Sequence, residues 1–220
     1  MDKLNETSKI PKSSKNIYGF PEFYRVLYWG MRTMPAMIKN RKTKEIDDNF
    51  IERIMFSVTE VNGCPVCSYA HTKWALEQGM SNKEINLLLA GSAESVPSEQ
   101  LVAVLFAQHY ADTRGNPETK TWQRVVEVYG KSKALIILGA TRAIMIGNIW
   151  GIAYSSFANR LKRKPSGNTS LLYELGIMVS IIPLLPAALI HAQISRIKGK
   201  DVITFLKTQD KETDWSNTIE

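Results

Sequence analysis

The chain has 220 residues, 44% hydrophobic and 22% charged, with a net charge of +7, a balance that supports a packed core and excludes general disorder. The basic residues are dispersed apart from runs at Lys39 to Lys44 and Arg160 to Lys164, and no finger, basic zipper or RNA-recognition signature accompanies them, so a nucleic-acid partner is not expected. A single C-x-x-C excludes a disulfide scaffold, and the polar start of the chain, Met1 to Gly19, lacks the apolar core of a secretory signal, which together point to the cytoplasm.

Residues 1–19 read as a loose polar arm. Pro21 opens a helical stretch, Glu22 to Asn40, in which Tyr24, Leu27, Tyr28, Met31, Met34 and Ile38 recur at helical spacing. Pro35 is expected to kink or divide it, and Lys39 to Lys44 to form a solvated connection. The next helix runs from about Glu45 to Val61 on a stripe of Ile46, Phe50, Ile51, Ile54, Met55, Val58 and Val61. Gly63 ends that unit. A helix from Pro65 to about Gln78 follows, with Gly79 as its C-terminal stop. Ser81 to Glu84 has the form of a capping box and starts a short helix bearing Ile85, Leu88 and Leu89. Ser98 starts another, reaching Asp112. Arg114 to Pro117 turns the chain into a helix from Glu118 to Tyr129, closed by Gly130. From Lys133 to Leu161 runs a long helix whose glycines at 139, 147 and 151 allow close contact or a bend. No segment alternates with the period of a strand, so the fold class is all-α.

Beyond the basic linker at Lys162 to Thr169 the composition shifts. Leu175 to Ile190 contains no charged residue, and the stretch 171–194 approaches the roughly 20 apolar residues that span a bilayer, although Pro183 and Pro186 interrupt it. Two readings follow: a hydrophobic helix buried in the protein or an oligomer interface, or a membrane-associated segment whose upstream basic cluster keeps the preceding domain in the cytoplasm. The organisation is thus an arm at 1–19, a helical domain at 20–164, an apolar helical extension at 165–200 and a polar tail at 201–220.

The chemistry concentrates at Cys64-Pro65-Val66-Cys67, with His71 four residues on. Cys64 falls at a helix N-cap and Pro65 at the first helical position, where its fixed φ helps and its missing N–H costs nothing. Cys67 then lies in the first turn, where free N–H groups and the helix dipole favour an anion. His71 shares its face one turn above. Such a thiolate can attack a peroxide oxygen and become a sulfenic acid, which Cys64 resolves to a disulfide and an external dithiol restores. Glu52, on the preceding helix, is the preferred carboxylate to set the His71 tautomer, with Glu60 as its rival and a water as the means of bridging the axial mismatch. Two other readings use the same residues. The cysteines are small buried side chains at a helix start, or, with His71 and a carboxylate, they hold zinc. Ser68 stands where a c-type haem motif needs histidine. His109 and His191 have no comparable company and read as structural.

Glu52, Cys64, Cys67 and His71 stand in the spacing E-x11-C-x2-C-x3-H, and the chain over about residues 20 to 164 resembles the alkylhydroperoxidase D-like, or carboxymuconolactone decarboxylase, family. Asn148 and Asn159-Arg160 resemble the polar positions of its last domain helix. The resemblance implies a helical bundle, a peroxidatic Cys67, a resolving Cys64 and a proton relay of His71 and Glu52 with a water between them. It implies hydroperoxide substrates, an external dithiol reductant, no bound organic cofactor or metal, and homo-oligomers such as trimers or hexamers. The decarboxylase branch lacks the cysteine pair, so the dithiol argues against that reaction. One departure stands at Val66, where active members carry a histidine that assists the resolving thiol. The rival class is a non-enzymatic redox sensor or membrane-tethered interaction module using the same dithiol.

Overall fold

The computed structural model describes residues 17–205 except 91, 93, 95 and 166. Most of the expected N-terminal arm and the chain beyond 205 lie outside the described residues. The chain folds as α1 (Phe20–Thr43), α2 (Asp48–Asn62), α3 (Pro65–Glu77), α4 (Asn82–Leu89), a 3-10 turn (Ser98–Gln100), α5 (Leu101–Asp112), α6 (Thr119–Leu161) and α7 (Leu171–Ile197), with no strand among the described residues. The expected all-α class holds.

Local signals set the ends of these helices. The Asp47 side chain accepts the Phe50 N–H at the start of α2, and Gly63 closes that helix in the left-handed conformation (φ 69°). Gly130 (φ 73°) breaks α6 into limbs at 119–129 and 131–161, as the sequence predicts. The capping box at α4 is only half made. Ser81 Oγ accepts the Glu84 N–H, but the Glu84 carboxylate turns to Arg53 (Nε to Oε1 2.8 Å).

Expectations about the prolines and the basic run fail. Pro35 does not divide α1, and the basic run does not leave it, for the helix continues to Thr43 and Lys44 caps it in the left-handed region. Pro183 and Pro186 likewise sit inside an unbroken α7. An internal proline costs on the order of 3 kcal/mol. In α1 close packing offsets that cost: a Cβ on Gly139 of α6 would lie 2.7 Å from Met37, and one on Gly30 of α1 would lie 2.5 Å from Ile146. In α7 both prolines are exposed, so packing at their rings does not account for the unbroken helix.

The 131–161 limb of α6 is the axis of the bundle, touching α1, α2, α3, α5 and α7. Its Ile136, Ile137, Leu138, Met145 and Ile149 are buried with Phe23 and Leu27 of α1, Ile54 and Val58 of α2 and Ala107 of α5. Each large apolar side chain so enclosed contributes roughly 1.5–3 kcal/mol. A second cluster around Phe56, Ala75, Ile85, Leu88 and Val104 lies beneath α4. The buried Arg142 is held by neutral oxygens: Nε donates to Tyr110 Oη (2.7 Å), and Nη1 to the carbonyls of Trp29 (3.2 Å) and Val202 (2.9 Å). Burial lowers its pKa.

Helix α7 adds one narrow face to this core through Ile177, Ala188 and Ala192. Its first turn is tied to the end of α6 by Glu174, whose fully buried carboxylate accepts two hydrogen bonds from Arg160 (2.8 and 2.9 Å). Helices α6 and α7 are both long and apolar enough to cross a membrane, but the apolar window of α6 is 72% buried in the bundle, as a core helix is, against 17% for α7.

Candidate active site

The tight turn at Gly63 folds α3 back beside α2 and leaves Cys64 in extended conformation (φ −91°, ψ 106°) as the N-cap of α3. Pro65 occupies the first turn, as the sequence predicts. The cap is made by sulfur, for Cys64 Sγ accepts the Cys67 N–H at 3.3 Å. The two cysteines are joined in a disulfide, with Cα atoms 5.3 Å apart. Their exposure differs. Cys64 is wholly enclosed, whereas Cys67 retains 8% of its surface.

One turn above Cys67, His71 is buried. Its Nδ1 lies 2.6 Å from Glu52 Oε2. The expected bridging water is therefore not needed. Axial rise alone leaves a gap of a few ångströms, and the two side chains close it by leaning toward each other. The imidazole takes Glu52, not Glu60. Against a carboxylate Nδ1 is the donor, which leaves Nε2 facing away from it. Phe56 (6.1 Å) and Trp74 (5.1 Å) present ring contacts to the imidazole, so the pair is walled by aromatics. The outer face of α3 is open, with Tyr69 72% and Trp74 48% exposed.

Helix α6 closes the other side of the disulfide. A Cβ on Gly151 would lie 2.7 Å from Cys64 Sγ, 2.8 Å from Cys67 Sγ and 2.9 Å from Val66 Cγ1, so only glycine lets α6 approach this closely. Cys67 Sγ lies 3.6 Å from the Gly147 carbonyl. The buried Asn148 accepts a hydrogen bond from Thr59 Oγ1 (3.2 Å) and leaves its Nδ2 enclosed without a partner among the described residues. The sequence leaves close contact or a bend open at Gly139, Gly147 and Gly151 and does not reveal that the cysteines are what Gly151 meets. Of the other sequence-flagged polar residues, Arg160 holds Glu174 and is remote from the dithiol in its contacts. His109 accepts the Glu118 N–H (3.2 Å) and His191 lies 3.1 Å from Tyr24 Oη, so neither joins the site. Among the described residues no group of three or more His, Cys, Asp and Glu side chains could hold a metal ion.

An all-helical bundle that presents a C-x-x-C pair at a helix start, backed by a buried imidazole–carboxylate pair, defines a helical dithiol protein. Residues 30–110 match the model of the carboxymuconolactone decarboxylase family, so this stretch of the chain is similar to that family. The match contains Glu52, Cys64, Cys67 and His71, while Gly147 and Gly151 lie beyond it. Comparison with curated proteins and with solved structures gives no match.

Proposed function

We propose that this protein is a thiol-dependent oxidoreductase that reduces hydroperoxides, with Cys67 as the attacking thiol, Cys64 as the resolving thiol, and His71 with Glu52 as the proton relay. The observation that carries the reading is the His71–Glu52 contact at 2.6 Å, buried one turn above the more accessible of two paired sulfurs. A merely structural cysteine pair has no use for a buried, carboxylate-oriented imidazole on its own face.

In the reduced protein, the Cys67 thiol gives its proton to His71 Nε2, and Glu52 steadies the imidazolium. The thiolate attacks the terminal oxygen of ROOH. The S–O bond forms, the O–O bond breaks, and the departing alkoxide takes the proton from His71 as ROH. Cys67 is then a sulfenic acid. The Cys64 sulfur attacks it, the S–S bond forms, and hydroxide leaves as water with the thiol proton. This disulfide is the state of the pair described above. An external dithiol returns two electrons and two protons by exchange. The enclosure of Cys64 suits a sulfur that meets only its neighbour, and the accessibility of Cys67 suits one that meets substrate.

The test is peroxide consumption by the purified protein with dithiothreitol as reductant. Wild type is expected to turn over repeatedly and Cys67→Ser to lose turnover by at least a hundredfold. Equal consumption by the two would overturn the assignment. A single oxidation per molecule without sustained turnover would favour the redox-sensor reading instead.

A further inference from the structure

Helix α7 carries more exposed large apolar side chains than any other helix among the described residues. Leu172 (83% exposed), Leu175, Val179 (60%), Ile182 (71%), Leu189 and Ile190 (61%) lie along one side, opposite the core-facing Glu174, Ile177, Ala188, Ala192 and Ser195. From Leu172 to Ile197 this strip extends about 38 Å at the helical rise. Apolar patches of that extent are interaction surfaces. Tyr154 and Leu161 of α6 are also exposed, and Tyr154 stacks on Trp150, whose Nε1 donates to the Met178 carbonyl of α7.

The charges around the strip select what covers it. At one end Lys162, Arg163 and Lys164 are exposed; at the other stand Arg196, Lys198 and Lys200, with Asp201 the acid among them. The acid near the first end, Glu174, is buried against Arg160. A second copy laid strip to strip would set basic end against basic end whether parallel or antiparallel. An anionic lipid surface matches both ends at once and takes the apolar side chains between them.

Packing fixes the orientation. Helix α7 is held along its length: Phe20 lies against Gly176, Tyr24 and Tyr28 against His191, and Arg32 donates to the carbonyls of Lys200 and Asp201. A bilayer surrounding α7 would also have to envelop these neighbours. Only the outward strip is free to meet lipid. We infer that α7 docks this protein on anionic phospholipid bilayers by lying in the interfacial plane, with its Leu172-to-Ile197 strip in the acyl boundary and its two basic ends on the headgroups. The dithiol then lies around the side of α6 from α7, for Trp150 touches α7 while Gly151, about 100° further round the helix, lies against both sulfurs.

The experiment is co-sedimentation of the full chain with vesicles of phosphatidylcholine, and of phosphatidylcholine mixed equally with phosphatidylglycerol. The protein is expected to pellet with the mixed vesicles, less with the neutral ones, and to be released by salt. The segment 206–220 carries two lysines and four acids, so the 162–164 cluster is the cleaner one to neutralise. Lys162→Ser/Arg163→Ser/Lys164→Ser should lower binding to the mixed vesicles about tenfold or more and leave binding to neutral vesicles unchanged. Ile182→Asn/Ile190→Asn, at outward positions, should abolish pelleting with the thermal melt retained. An impermeant amine reagent added outside protein-coated vesicles should label Lys162, Lys164, Lys198 and Lys200 alike. Failure to pellet with either vesicle overturns the inference, and so does a drop from oligomer to monomer in Ile182→Asn/Ile190→Asn without lipid binding by wild type, which would assign the strip to a second copy. Protection of one basic end from the reagent would replace the in-plane geometry with a spanning one.

Discussion

Over their most apolar windows α6 and α7 have mean hydropathies of 1.6 and 2.1, yet 72% of the first window is buried and 17% of the second. Composition makes them equivalent; packing does not. The 131–161 limb is surrounded by five other helices, so nearly every side chain finds a neighbour, and glycine appears where a neighbour comes closest. Among the described residues helix α7 packs chiefly on α1 and α6 and commits a single stripe to them. An apolar helix is therefore a core element or an interaction element according to how many of its sides the fold occupies.

The comparison is broken most sharply by the same kind of truncation made in each helix. Ile137→Ala in α6 removes a fully buried side chain and should cost roughly 2–5 kcal/mol, whereas Ile182→Ala in α7, 71% exposed, should stay within about 0.5 kcal/mol. Denaturant midpoints measure both, and comparable losses would mean that the outer strip of α7 is covered within the protein's own assembly. A smaller effect is expected at the glycines of α6. Gly151→Ala places a methyl group against both sulfurs and should cost about 1–3 kcal/mol and slow dithiol turnover, while at Gly147 the nearest heavy atom stands 3.8 Å away and alanine should be tolerated. Urea melts and disulfide-reduction rates of the two variants separate a local clash from a general intolerance of side chains in α6.

The smallest effect concerns the ion pair joining the two helices. The Arg160 guanidinium, by hydrogen bonding, holds the Glu174 carboxyl below its ordinary value of 4.5. A depressed carboxylate pKa contributes stability that is present above the unfolded value and lost as pH falls through the folded one. The difference in unfolding midpoint between wild type and Glu174→Gln should therefore be constant near neutrality and shrink below about pH 4.5. A gap that persists at lower pH would assign Glu174 a packing role independent of its charge.

Much of the candidate site is legible before folding. Gly63, Cys64 and Pro65 specify a stop, a cap and a start in three consecutive residues, and each is determined by backbone chemistry that needs no partner. The phase of His71 over Cys67 follows from helix geometry, and antiparallel α2 and α3 bring Glu52 near enough for a water-bridged contact, which the structure makes direct. The Gly151 contact is not legible, because 84 residues separate it from Cys67 and nothing local records which helix will lie across the sulfurs. Pro35, Pro183 and Pro186 mislead for the complementary reason. Local propensity reports the cost of a proline and does not report whether the whole helix bears it.

The amino-acid order by itself determined the all-helical class, the dithiol at a helix start and the imidazole above it, since these rest on periodicity, capping and spacing within a few turns. The tertiary structure decided which cysteine keeps some exposed surface, that Glu52 meets His71 directly, and that α6 is enclosed while α7 keeps an open side. Those outcomes depend on distances between segments far apart along the chain, which are set by the packing of the whole bundle.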